Sequence, residues 1–238
     1  MNIALLLSGG TGTRLGAGIP KQYIEVSGKP VISYCMEQLS CHDRIDAFWI
    51  VADSAWHQTL TQWIRKYDPA GKFKGFSAPG ENRQLSILNG LKDICKHAKA
   101  SDCVLIHDAA RPLLSEKLIS DCLDALAGHD GVLPVLPMKD TVYYSEDGKM
   151  ITSLLNRSRI FAGQAPEVFR LGAYYEANMR LLPDEILKIN GSTEPAIMAG
   201  MDVAMIQGDE NNFKITTKAD LKKFCSITEA GRSERENE

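Results

Sequence analysis

The sequence predicts an α/β fold in which a mainly parallel sheet is covered by helices, and three observations carry that expectation. Ile3-Ala-Leu-Leu-Leu7 is apolar without alternation, as suits a strand buried on both faces, and it runs straight into a glycine-rich turn, Ser8-Gly-Gly-Thr-Gly-Thr-Arg-Leu-Gly16. Comparable apolar runs recur at 47–52, 103–107 and 131–136. Amphipathic segments at 31–39, 58–66 and 84–97 lie between them, which gives the strand and helix alternation of a parallel sheet.

One region departs from this rhythm. Thr141-Val-Tyr-Tyr144, Ser145-Glu-Asp-Gly-Lys149 and Met150-Ile-Thr-Ser-Leu154 read as strand, turn and strand, a hairpin arm spanning about 138–160. Two isolated strands are marginal in water, so a partner subunit is the natural cover and a homodimer is expected. A final helix is expected from Ala219. Residues 1–226 then form a single domain, and 227–238, with Ala230-Gly-Arg-Ser-Glu-Arg-Glu-Asn-Glu238, read as a disordered tail.

Composition narrows the function classes. With 238 residues, 44% of them hydrophobic, the chain is long enough to bury a full core. Its formal net charge of -3 offers no general attraction to nucleic acid or anionic lipid, so a bound nucleotide needs a local site. No apolar run approaches the roughly 20 residues that span a bilayer, and no basic stretch precedes the first one, which makes a cytoplasmic protein the expectation. Six cysteines without a C-x-x-C pair read as reduced core residues, and five scattered histidines give no zinc signature.

Three segments carry chemistry. The glycine-rich turn lets backbone N–H groups approach a ligand, and a concave run of them binds phosphate oxygens. Arg14 adds a rigid fork of donors and Lys21 a mobile charge, so Ser8, Gly9, Gly10, Thr11, Gly12 and Thr13 with these two cations imply a polyphosphate. The turn is no Walker loop, because no Gly-Lys-Ser/Thr follows, and Gly10, Gly12 and Gly16 lack the dinucleotide spacing. In Gly80-Glu-Asn-Arg83-Gln-Leu-Ser86, Arg83 and Ser86 share a helix face near a helix N-terminus. A surface arginine with a capping serine is the plainer reading. In Val104-Leu-Ile-His-Asp108-Ala-Ala-Arg111-Pro112, Asp108 ends a buried strand at the sheet edge where open α/β folds bind ligands. It could hold a cation or orient a hydroxyl, or simply pair with Arg111, and His107 reads as a strand-end residue. Later, Phe213 and Ile215 flank Lys214, placing it on the opposite face of a presumed strand, where it could enter the site.

Taken together in this order, the segments resemble the cytidylyltransferases that make CDP-activated polyols. The markers are Ser8 to Gly16 with Pro20-Lys-Gln-Tyr23, Gly80-Glu-Asn-Arg-Gln-Leu-Ser86, His107-Asp-Ala-Ala-Arg-Pro112, Asp140-Thr141 and Asn212-Phe-Lys-Ile-Thr-Thr217. The resemblance implies a Rossmann-like nucleotidyltransferase sandwich, a homodimer clasped by the hairpin, and CTP bound with Mg²⁺ at the glycine-rich turn. It implies Arg14 and Lys21 on the triphosphate, Ser86 on the cytidine part with Gly80 and Arg83 nearby, and Asp108, Arg111 and Lys214 beside the acceptor. Thr141 and Arg157 would reach the acceptor phosphate from the neighbouring subunit, and Arg14, Lys21 and Lys214 would serve catalysis.

Two acceptors fit. Methylerythritol phosphate is favoured by His107-Asp-Ala-Ala-Arg-Pro112 and Ser86-Ile-Leu-Asn-Gly-Leu91. Ribitol 5-phosphate is favoured by Gly9-Gly10 and Gly163-Gln164. Ala165-Pro166 and Ser192-Thr-Glu194 stand where the isoprenoid enzymes usually carry Thr-Pro and Thr-Asp-Glu. More remote readings are a sugar-1-phosphate nucleotidylyltransferase, an NAD(P) oxidoreductase, for which Asp53 speaks, and a non-catalytic nucleotide-binding regulator.

Overall fold

The computed structural model describes residues 1–10 and 18–236. β1 (Asn2–Leu7) is followed by a 3-10 turn at Lys21–Tyr23, a ribbon of β2 (Glu25–Val26) and β3 (Lys29–Pro30), and helix α1 (Val31–Cys41). β4 (Ala47–Val51), α2 (His57–Tyr67), β5 (Phe73–Ser77), α3 (Arg83–Ile94) and β6 (Cys103–Asp108) continue the alternation. After α4 (Glu116–Ala125) and β7 (Gly131–Pro137) come the hairpin strands β8 (Tyr143–Tyr144) and β9 (Ser153–Leu154), then β10 (Phe161–Gly163) and β11 (Glu167–Arg170). α5 (Leu171–Met179), α6 (Glu194–Met198), β12 (Val203–Gln207) and α7 (Lys218–Glu236) follow.

Among the described residues the main sheet has eight strands in the order β10-β7-β11-β6-β1-β4-β5, with β12 also on β7. β1 lies between β4 and β6, parallel to both, and β4 carries β5 in parallel. β11 is antiparallel to β6 and β7, and β10 is antiparallel to β7. The register sets Leu7 beside both Val51 and Asp108, so three carboxyl ends meet at one edge of the sheet. Ligands of open α/β sheets bind at such an edge.

Strand alternation explains the unbroken apolar run in β1. Ala4 and Leu6 pack on one face with Ile32, Met36 and Leu39 of α1, while Ile3 and Leu5 pack on the other with Ile87 and Leu91 of α3. Fully burying a leucine contributes about 1.5–3 kcal/mol, so Leu5 and Leu6 each anchor a layer. Gly90 lets α3 lie close to the sheet: a Cβ there would stand 2.4 Å from Leu5 Cδ1. Alanine at this position would require the Leu5 side chain to shift.

Three expectations change. β8 and β9 are shorter than the predicted strands, pairing only Tyr143 with Leu154 and Tyr144 with Ser153. The connection is pinned by the Asp147 carboxylate, which accepts from the N–H groups of Lys149 and Met150. Residues 213–216 form no strand. Their backbone is taken up instead by the Asp220 carboxylate, which accepts from Thr216 and Thr217, and by Ala110 O, which accepts from Ile215 N at 2.8 Å. The segment read as a tail from residue 227 is helical as far as Glu236, because α7 is docked through Phe224, fully buried with Val26, Val31 and Ile215. No described helix is long and apolar enough to cross a membrane.

Candidate active site

A cavity of about 500 Å³ opens at the sheet edge where β1 and β6 end. Its first wall is the start of the glycine-rich turn. Gln22, buried in the 3-10 turn at Lys21–Tyr23, donates from Nε2 to the carbonyls of Ser8 and Gly10, at 2.7 and 2.8 Å. Ser8 Oγ donates to Tyr23 OH at 2.8 Å, which fixes the exit of β1 against the same turn. Gly9, Gly10 and Lys21 line the cavity, whereas Ser8 is buried and does not. Thr11, Gly12, Thr13 and Arg14 lie outside the described residues.

The second wall is the N-terminus of α3. Asn82 caps the helix, its side chain accepting from Leu85 N at 2.8 Å. Ser86 turns its hydroxyl back to accept from Gly80 N and donate to Asn82 O, both at 2.9 Å, so it shapes the loop leading into the helix. Gly80 is obligatory for that closure, since a Cβ would lie 2.3 Å from Leu85 Cβ and 2.8 Å from Ser86 N. Arg83, the first residue of α3, reaches over the sheet edge toward Asp108.

Asp108 is the anionic centre of the arrangement. Its Oδ1 lies 3.1 Å from Arg83 Nη2, and its Oδ2 lies 2.9 Å from Lys214 Nζ and 3.5 Å from Arg111 Nε. Burial alone would raise its pKa, but the charges of Arg83, Lys214 and Arg111 hold it well below the usual carboxylate range. Arg111 also donates to Asn212 O at 2.7 Å, and Asn212 donates to Ala165 O at 2.6 Å, which ties the segment carrying Lys214 to the end of β6. His107 is fully buried with Nε2 3.0 Å from Arg111 O, and burial lowers its pKa to about 4, so it is neutral and structural.

The structure therefore brings Gly9, Gly10, Lys21, Gly80, Arg83, Ser86, Asp108 and Lys214 to one cavity, with Arg111 braced against Asp108. Thr141 and Arg157 do not join them within the chain. Both are exposed, and Arg157 donates to Lys139 O at 2.7 Å. Sequence reasoning missed Gln22, Asn82 and Thr216. Asn82, immediately before an amphipathic segment, carries the signal of a helix N-cap, while Gln22 lies within the quoted Pro20 to Tyr23 motif and Thr216 within the quoted Asn212 to Thr217 motif. Lys214 reaches the cavity as expected, from an irregular segment rather than a strand.

Such a basin, cationic around one carboxylate at the carboxyl edge of a parallel sheet, suits a polyanionic ligand. Comparison with known proteins gives the ligand class. The family model for 2-C-methyl-D-erythritol 4-phosphate cytidylyltransferase matches residues 2–229. The chain belongs to this family. It is a cytidylyltransferase, and so a nucleotidyltransferase enzyme.

Similar cytidylyltransferases include the 2-C-methyl-D-erythritol 4-phosphate enzyme of Nitrosomonas eutropha, 35% identical over 92% of this chain and 93% of that one. The ribitol-5-phosphate cytidylyltransferase of Streptococcus agalactiae serotype V is 30% identical over 100% of this chain and 98% of its own. The bifunctional enzyme IspD/IspF of Bradyrhizobium diazoefficiens is 35% identical over 91% of this chain, which spans about half, 53%, of that protein. The fold matches that of 4-diphosphocytidyl-2C-methyl-D-erythritol synthase from Anaerococcus prevotii, with a TM-score of 0.82 at 24% identity over 96% of each chain. The mainly parallel α/β nucleotidyltransferase sandwich expected from the sequence is thus the fold of this cytidylyltransferase.

Proposed function

We propose that the enzyme transfers CMP from CTP to 2-C-methyl-D-erythritol 4-phosphate, releasing pyrophosphate. The observation that carries this reading is the gathering of Lys21, Arg83 and Lys214 around a cavity beside a glycine-rich turn, with Asp108 as the counter-charge. A phosphate monoester has its second pKa near 6, so the acceptor arrives ionised at neutral pH and needs no general base. An acceptor phosphate oxygen attacks the α-phosphorus of CTP in line with the departing pyrophosphate oxygen. Lys21 takes the charge on the triphosphate, and Arg14, within the glycine-rich sequence, is assigned the same role by the family resemblance. Lys214, steered by Asp108, takes that on the acceptor side. Gly80, Arg83 and Ser86 form the nucleotide wall, and Arg111 braces Asp108.

Mg²⁺ is proposed only as an ion carried on the CTP phosphates, where its chemistry is charge neutralisation. The described residues contain no group of three His, Cys, Asp or Glu side chains able to hold a metal, and Asp108 has both oxygens engaged by cations. Asp108 does not fit the ligand role that its position at the strand end suggested. We further propose that the hairpin pairs two subunits. Tyr143, Tyr144, Met150, Ile151 and Leu154 are exposed on it, and a partner covering them would bring Thr141 and Arg157 to the neighbouring acceptor.

Ribitol 5-phosphate is the second reading, supported by the full-length similarity to ribitol-5-phosphate cytidylyltransferases. Pyrophosphate release from CTP, measured with each polyol phosphate in turn, tests both. The primary reading expects the higher kcat/KM with methylerythritol phosphate. Preference for ribitol 5-phosphate selects the second, and CTP binding without release on any acceptor removes both.

A further inference from the structure

Glu167 is a buried carboxylate that the reaction as read above leaves unused. It opens β11, where the register sets it opposite Ile106 on β6. Alternate strand residues share a face, so Ile106 and Asp108 point the same way, and Glu167 joins them beneath the first turn of α3. Arg83 is thereby set over two carboxylates, with Nη2 3.1 Å from Asp108 Oδ1 and 3.8 Å from Glu167 Oε2.

The other oxygen of Glu167 accepts a hydrogen bond from Ser192 Oγ, and Ser192 O in turn accepts from Tyr174 OH at 2.5 Å. Glu167 Oε2 is buried without a hydrogen-bond partner. Burying a carboxylate with one oxygen unbonded is unfavourable, and an amide of the same shape would fill the space and keep the Ser192 bond. What the charge adds is a second attraction on the guanidinium. With Asp108 alone, Arg83 would close onto that one carboxylate; between two, it is held along the cavity wall.

We propose that Glu167 is a positioning residue for nucleotide binding: acting through Arg83, its carboxylate fixes the guanidinium on the cavity wall between Gly80 and Asp108. The proposal rests on the reading of the cavity as a CTP site. Glu167 touches no substrate, so its effect falls on CTP affinity rather than on the chemical step.

The test is a double-mutant cycle of wild type, Glu167→Gln, Arg83→Met and the double variant, reading KM for CTP and kcat from pyrophosphate release with the better polyol phosphate. Glu167→Gln is expected to raise KM for CTP about tenfold and to change kcat less than about threefold, and to add no more than about twofold once Arg83 is methionine. Ser192→Ala, which frees the carboxylate while keeping its charge, is expected to raise KM in the same direction by about threefold, and it stands in if Glu167→Gln does not fold. Independent, multiplying effects of Glu167 and Arg83, or an unchanged KM in both Glu167→Gln and Ser192→Ala, overturn the proposal while leaving the CTP reading intact. A wild-type enzyme that neither binds CTP nor releases pyrophosphate overturns both.

Discussion

Lys214 Nζ stands 2.9 Å from Asp108 Oδ2, and this contact joins the segment ahead of α7 to the end of β6. With Arg83 and Arg111 also on Asp108, one buried carboxylate organises three cations. Asp108→Asn is therefore expected to destabilise the protein by about 3–5 kcal/mol at pH 7 and to abolish most turnover, because it leaves those cations without their counter-charge. The folded pKa is depressed, so this stabilisation is complete above the unfolded value of about 3.9 and fades as pH falls below it. Urea unfolding of both proteins at pH 7, 5 and 3.5 checks this: the gap should hold between pH 7 and 5 and narrow at pH 3.5. A gap independent of pH would show that the carboxylate charge contributes nothing.

Lys21→Ala is expected to lower kcat at least about a hundredfold while the melting temperature stays near that of the wild type, the effect typical of losing one donor to transition-state charge. Lys21 lines the cavity from the short turn that Gln22 ties to the glycine loop, so its truncation removes a charge from the site without opening the core. Pyrophosphate release and thermal melts decide it. Normal turnover by the folded variant would remove Lys21 from the reaction.

Much of this site is legible in the sequence, and what is not has a common cause. The strand ends and glycine turns carry local signals: an apolar run stopping at Leu7 or Asp108 marks the sheet edge, and Asn82 before an amphipathic segment marks a helix start. The site role of Lys214 comes from the resemblance carried by Asn212 to Thr217, whereas the Phe213 and Ile215 alternation misleads about the local structure: it suggests a strand, while the segment is held by Asp220, whose pKa falls to about 2 because, against its burial, the hydrogen bonds from Thr216 and Thr217 prevail. Glu167 gave no signal, because its meaning depends on antiparallel pairing with β6, a contact between distant segments that periodicity does not encode. The start of α7 is legible as a helix expected from Ala219, whereas its continuation past residue 227 to Glu236 is not, because the polar residues there carry no apolar periodicity.

Gly80→Ala is expected to weaken CTP binding and to destabilise the fold by about 1–3 kcal/mol, the usual range for forcing atoms into a packed site. The added methyl would collide with Leu85 and with the backbone of Ser86, so the loop would have to leave Ser86 Oγ and the α3 cap would loosen. Calorimetric titration with CTP and a denaturant melt measure the two effects. Wild-type affinity in this variant would mean that the loop before α3 takes no part in the nucleotide wall.

The hairpin makes a prediction about assembly. Its two short strands cannot bury their own apolar side chains, and Tyr144 and Leu154 are 48% and 65% exposed in the single chain. If a second subunit covers them, Tyr144→Asp combined with Leu154→Asp should give a folded monomer by sedimentation, with acceptor KM raised and CTP affinity retained, because only Thr141 and Arg157 would be withdrawn. A wild-type monomer at micromolar concentration, fully active, would instead leave the exposed hairpin without a role in the site.

Glu167→Gln separates stability from function at one residue. Burial raises the Glu167 pKa more than Arg83 and Ser192 lower it, so the folded protein binds this proton more tightly than the unfolded chain. The charged form thus carries a penalty at neutral pH that disappears as pH falls through the raised folded value and is gone below the unfolded value of about 4.3. Glutamine has no charge to desolvate, so the variant is expected to be at least as stable as the wild type at pH 7, with its advantage shrinking on acidification, even as KM for CTP rises. Chemical denaturation at pH 7 and pH 4.5 reads the stability arm. A variant less stable than wild type by the same amount at both pH values would identify Glu167 as a packing residue whose charge is incidental.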